Sequence, residues 1–291
     1  MAALIRLVLA LQCISVSGAG GPFDASSLMR LCTDADLAGR EALPVPGVTT
    51  RPGVASPTRA PWIDASGWRF VRHPDGKFAY DVPRGKAALA AAEAFAYGAN
   101  VTLKIDRADA AGLKEMLTFL AGVPSGDLPP IADLAVVDDG STVTGEVMNL
   151  LSRRNLLFHA VPAPSDRYRV NVAVGTPAYP RDEAANPSAF ALKIRRQLGD
   201  DQRSLRIYGS EVVIGRLTGD AARARLHLLN YGGREIDGLR VRVRGSYRTG
   251  EARVAGAGRV ALEDQVVADG ATEFSLPRIG SYAVIDLEAA R

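Results

Sequence analysis

Apolar and polar positions alternate on both sides of an Asn/Gly-rich turn late in the chain, where Ala224-Arg-Leu-His-Leu-Leu-Asn230-Tyr-Gly-Gly233 leads to Gly238-Leu-Arg-Val-Arg-Val-Arg244. A period of two is the signature of a half-buried strand, so this stretch predicts an antiparallel hairpin. Strands are predicted at residues 205–208, 212–217, 223–229, 239–243, 253–254, 260–262, 273–276 and 281–287, separated by Gly-rich turns. Short strands at this spacing fit a β-sandwich.

Upstream the period changes. Residues 86–97, KAALAAAEAFAY, read as a helix closed by Gly98, and 100–106 as a strand. A second helix over 107–121 carries Leu113, Met116, Leu117 and Leu120 as an apolar stripe, with Asp106 and Asp109 available as caps. Residues 131–137 are nearly continuous in apolar side chains, as in a strand covered on both faces. A helix over 145–154, strands over 156–161 and 168–174 and a helix from Asn186-Pro187 to Leu198 follow. The predicted fold class is therefore α/β plus all-β: an α/β region with a parallel or mixed sheet, then a C-terminal antiparallel β-sandwich.

The N-terminus has its own pattern. One arginine, an apolar core and then small residues through Gly20 outline a secretory signal, which predicts a secreted or periplasmic protein. Removal of residues 1–20 takes Cys13 and leaves Cys32 as the one thiol, without a partner for a disulfide. Residues 43–61 hold five prolines and read as a linker, so folding is expected to begin near Trp62. The expected organisation is a signal at 1–20, a linker at 21–61, a βα segment at 62–125, an α/β domain at 126–203 and a sandwich at 204–291.

Composition narrows the function classes. With 47% hydrophobic residues, 23% charged residues and a net charge of +3 over 291 residues, the chain supports ordinary cores and argues against nucleic acid as a partner. No P-loop, dinucleotide fingerprint, HExxH helix or GxSxG elbow occurs, so no cofactor or metal is expected.

The candidate chemistry is carboxylate chemistry. Asp138-Asp139-Gly140-Ser141 closes an apolar strand at the sheet edge where α/β proteins bind ligands, although neighbouring strand residues point to opposite faces. Asp106 ends the preceding strand, and Asp106, Asp138 and Asp139 are the candidate catalytic residues within a pool that adds Asp64, Glu93 and Glu146. Both tryptophans, Trp62 and Trp68, lie close together with Asp64 and Tyr80 nearby, and these four are the candidate sugar-contact residues. The same aromatic rings would serve equally as plugs of a small core. Arg240, Arg242 and Arg244 share one strand face, a stripe suited to anionic glycans or to plain solvent.

In domain order, WIDASGWRF, the alanine-rich helix, VTLKID, the α/β segment to Leu198 and the terminal strands together resemble the distal part of a multidomain clan A glycoside hydrolase of the β-galactosidase type. That resemblance implies the last part of a (β/α)₈ barrel, an amidotransferase-like domain and a small sandwich. An intact barrel needs about 250 residues, and about 60 precede the middle domain here. The resemblance thus implies a secreted carbohydrate-associated protein lacking most of the catalytic barrel, with carbohydrate as partner and no membrane attachment once the signal is removed. An active hydrolase using strand-end carboxylates, or a noncatalytic module that forms homo-oligomers, are the alternatives.

Overall fold

The computed structural model describes residues 12–17, 30–31, 33–49, 61–124 and 128–289. Cys32 and most of the expected signal and linker lie outside them.

The first unit comprises β1 (Gln12–Ser17), β2 (Arg30–Leu31), α1 (Asp34–Leu37), β3 (Glu41–Leu43), β4 (Gly47–Thr49), β5 (Trp62–Asp64), α2 (Gly67–Arg72), β6 (Lys77–Val82), α3 (Ala87–Tyr97), β7 (Asn100–Ile105) and α4 (Ala110–Ala121). Its mixed sheet has the order β2-β1-β7-β6-β3, with β3, β6 and β7 parallel and β1 antiparallel to β7. Within the segment expected to be an export signal, Gln12–Ser17 is thus paired along its full length with β7, and Ile14 is buried. Folding also begins before Trp62. Leu43, expected in a linker, is buried at the end of β3, and β4 pairs with β5. Prolines beside these strands are compatible with pairing because a sheet edge leaves one row of backbone groups unused.

Alanine density explains α3. Ala87, Ala90, Ala91, Ala92 and Ala94 are each at most 1% exposed, because the helix is covered on opposite sides by its own sheet and by the sandwich. Small side chains let both layers approach it, and Gly98 closes it at φ 66°.

The second unit is a three-stranded parallel sheet of β8 (Leu134–Val137), β9 (Phe158–Val161) and β10 (Asn171–Val172) in the order β10-β8-β9, with helices α5 (Thr142–Arg153) and α6 (Pro187–Leu198). Asn186 caps α6 by accepting from the Ala189 amide, with Pro187 at the start.

Nine strands form the third unit: β11 (Leu205–Tyr208), β12 (Val213–Gly219), β13 (Arg223–Asn230), β14 (Ile236–Arg244), β15 (Tyr247–Val254), β16 (Gly258–Val260), β17 (Glu263–Ala268), β18 (Ala271–Ile279) and β19 (Tyr282–Ala289). They make a four-stranded sheet, β11-β14-β18-β17, facing a five-stranded sheet, β12-β13-β19-β15-β16. The fold class is therefore the expected one, an α/β region with parallel and mixed sheets followed by an antiparallel sandwich.

The expected hairpin is corrected. β13 pairs with β12 and β19, whereas β14 pairs with β11 and β18, so the two strands belong to opposite sheets. The intervening Asn/Gly turn carries the chain across the sandwich. Asn230 holds it, its Nδ2 donating to the Arg234 and Gly280 carbonyls at 2.7 Å each. Alternation announces a strand but leaves its neighbour open, since any strand with one apolar face satisfies it.

Candidate functional site

β8 is the centre of its sheet, with the next strand on one side and the one after on the other. The crevice at its C-terminal end is therefore a topological switch point, the usual ligand position in such sheets. Asp138, Asp139, Gly140 and Ser141 form this end.

The three side chains here are all engaged. Asp138 receives two bonds from Arg72, Nε to Oδ2 at 2.9 Å and Nη2 to Oδ1 at 2.7 Å, and a third from the Gly140 amide at 3.0 Å. Asp139 accepts from the Ser141 hydroxyl at 2.6 Å, the Ser141 amide at 3.0 Å and Arg181 at 2.8 Å. Ser141 is the N-cap of α5, accepting from the Thr144 amide at 3.2 Å. The hydrogen bond from Arg72 holds the Asp138 carboxyl below the usual carboxylate range, and the bond from Ser141 does the same for Asp139. The two acids, just beyond the end of β8, diverge, Asp138 toward α2 and Asp139 toward the loop before α6.

Arg72 reaches Asp138 because α2 and α5 lie very close. A Cβ at Gly145 would sit 2.8 Å from Arg72 Nη1 and 3.1 Å from the Trp68 ring, so the helix contact is tightest with glycine there.

The other candidates lie elsewhere. Asp106 caps the turn that opens α4, accepting from the Ala108 amide at 2.8 Å. Trp68 is 7% exposed and sits in the core of the second unit; Tyr80 has no exposed surface. Burial removes both from a sugar-contact role. Trp62 is half-buried, donating from Nε1 to Asp64 at 3.0 Å, and the Arg153 guanidinium covers its ring at 3.6 Å from the centroid. Trp62 and Asp64 thus stay together at the C-terminal end of α5, while Asp138 and Asp139 lie beyond its N-terminal end, ~17 Å away along the helix.

Arg72, Arg153 and Arg181 escaped the sequence reading. Each partner is distant in the chain, and neither the lone Arg72 and Arg181 nor the basic pair Arg153-Arg154, which reads as a solvated helix face, carries a local motif. A further polar centre surrounds Glu93, fully buried in α3. Its Oε1 accepts from the Ser66 amide at 2.6 Å, the Gly67 amide at 3.2 Å and the Tyr231 hydroxyl at 2.7 Å, and its Oε2 accepts from Tyr80. Burial raises this carboxyl, and it also raises that of Asp133, which accepts from the Ser204 amide and hydroxyl.

No family model matches this chain. No characterised protein matches it by sequence. Among solved structures, α-L-fucosidase isoenzyme 2 from Paenibacillus thiaminolyticus aligns with a TM-score of 0.55 at 10% identity, over 77% of this chain and 62% of that one. A rhamnosidase from Novosphingobium sp. PP1Y aligns at 0.48 and 10% identity, over 87% of this chain and 35% of that one. A β-galactosidase from Rahnella sp. R3 aligns at 0.39 and 10% identity, over 86% and 55%. This chain spans less than two thirds of the length of each. The fold is accordingly glycoside hydrolase-like, an α/β body with a β-sandwich, on the likeness to the fucosidase.

Proposed function

We propose that the chain is a carbohydrate-associated protein corresponding to the accessory domains of a glycoside hydrolase, without hydrolysis of its own. One observation carries this reading: the strand-end carboxylates are committed to caps and ion pairs. Glycoside hydrolysis needs two carboxyl groups about 5 to 10 Å apart, one of them held protonated as the acid. Asp138 and Asp139 are instead shifted toward the ionised form, and Asp106 is a helix cap. Among the described residues, burial raises the carboxyls of Glu93 and Asp133, and each is occupied by internal donors. The fold likeness to a fucosidase supports the carbohydrate part of the reading.

Sugar contact is assigned to Asp64 and to the side of the Trp62 ring away from Arg153, since the two residues lie side by side at a partly exposed position. The purified chain is expected to give no turnover above a buffer blank on a panel of aryl glycosides that includes fucosides and galactosides. It should show a tryptophan fluorescence change with at least one neutral saccharide, and Trp62→Ala should abolish that change because Trp68 is buried. Turnover that drops by orders of magnitude in Asp138→Asn, or a flat response across the saccharide panel, would overturn the proposal.

A further inference from the structure

The four-stranded sheet of the sandwich presents its outer face to solvent. Leu239, Val241 and Val243 point into the core at no more than 1% exposure, so Arg240, Arg242 and Arg244 stand on the other side of β14. Arg206 of β11 lies directly opposite Arg242 in the register. These four arginines border an open groove of about 770 Å³ that β17 and the turn at Asp269-Gly270 complete. That volume suits a small ligand of several rings.

The groove floor is cationic, with its acids mostly at the rim. Asp201 and Asp269 are exposed, and Glu273 of β18 is the one carboxylate among the arginines. Glu273 bridges two of them, at 3.2 Å from Arg240 Nη2 and 3.8 Å from Arg242 Nε. Arg242 is 8% exposed, and its buried Nη1 has no hydrogen-bond partner. A buried guanidinium donor left unpaired costs free energy, and displacement of Glu273 from Arg242 would open that side chain to a further anionic acceptor.

We infer that this groove binds an acidic oligosaccharide through its uronate carboxylates. The inference rests on the carbohydrate reading above, and it adds a second, charge-reading site. Three features select the ligand. The residues lining the groove include no aromatic side chain, and Tyr208 beside it, opposite Arg240, has its ring against the Arg206 guanidinium at 5.0 Å, so the groove is read chiefly by charge. Arginines two residues apart on a strand are spaced ~7 Å, a row of cations that meets several anionic groups and not one. Glu273 already displays the chemistry in miniature, a carboxylate shared by two guanidinium groups, and planar carboxylates match the guanidinium fork. A ligand carboxylate takes the place of Glu273, which swings toward solvent; its side chain is already 37% exposed.

Isothermal titration calorimetry at low salt with an oligogalacturonate hexamer tests this directly, with a neutral hexasaccharide and hexaglutamate as comparators. The uronate is expected to bind, more weakly as salt rises. Arg242→Gln and Arg240→Gln should each weaken it about tenfold, the loss of one charge-assisted pair. Glu273→Gln should strengthen it severalfold by removing the internal competitor. If Arg242→Gln fails to fold, Arg240→Gln and the exposed Arg244→Gln decide. No heat with the uronate at low salt, equal binding of hexaglutamate, or affinity unchanged across the arginine variants would overturn the inference. The fluorescence response at Trp62 to neutral sugar fails or survives independently, so a loss of one site is not mistaken for a loss of the other.

Discussion

Glu93 sits where three parts of the molecule meet: α3 carries it, the backbone at the start of α2 donates to it, and Tyr231 reaches it from the sandwich. Its carboxyl is raised because burial removes water, while the phenol and amide donors pull the other way. Removing it leaves two backbone amides and two phenols without their acceptor inside a closed core. Glu93→Ala is therefore expected to destabilise the fold by about 3 to 5 kcal/mol, whereas Tyr231→Phe, which removes one donor, should cost about 1 kcal/mol. Urea denaturation of the two variants measures both. Asp106 shows the opposite situation, a residue whose structural role is local and readable, since an acid between a strand and an apolar-striped helix predicts a cap and is one.

At the scale of elements, the contact between α2 and α5 positions the switch-point residues. Trp68 packs in the core of the second unit, and Arg72, one helical turn later, pairs with Asp138. Both depend on the missing side chain at Gly145. Gly145→Ala presses on the Arg72 guanidinium, which Asp138 holds in place, and on the packed Trp68 ring, so the gain in helix propensity of about 1 kcal/mol is set against an overpacking cost of about 1 to 3 kcal/mol. A lowered melting temperature is expected by calorimetry, against the rise that Gly→Ala brings in an uncrowded helix. From α3 onward the elements themselves were largely legible: the stripe Leu113, Met116, Leu117 and Leu120 is buried as its spacing predicts, and the helix opening at Asn186-Pro187 runs to Leu198. β17 was missed because its residues are nearly all exposed and show no apolar period.

Across the whole molecule, the first α/β unit and the sandwich share one core. Ile214, Leu229, Tyr282 and Val284 of the five-stranded sheet, with Tyr231 just beyond β13, pack with α3, so that sheet is covered on both faces. This explains His227, which alternation places outward and which is nevertheless 6% exposed, within 2.6 Å of the Tyr282 hydroxyl. Burial pushes its imidazole down to about 3, so the folded protein holds it neutral. The unfolded chain, with a pKa near 6.5, takes up the proton first. The stabilisation from neutral His227 is fully present above about pH 6.5 and is lost as pH falls toward 3, at a slope of up to ~1.4 kcal/mol per pH unit. Glu93 acts with the opposite sign, its raised carboxyl favouring the fold below its unfolded value and losing that contribution as pH rises. Comparing His227→Gln with the parent chain isolates the histidine: urea midpoints from pH 7 to 4 should fall more steeply in the parent than in the variant.

The sequence by itself determined most of the strands and helices from α3 onward, the change from α/β to all-β near Leu205 and the cap at Asp106, because each depends on neighbours a few residues away, whereas β1 to β4 lie where it predicted a signal and a linker. Only the tertiary structure decided that β13 and β14 belong to different sheets, that Arg72 neutralises Asp138 from 66 positions away, and that Trp68 and Tyr80 are core and not surface. Periodicity records which side of an element avoids water. What covers that side is settled by chain segments remote in sequence, and with it whether a carboxylate is free to react or already paired.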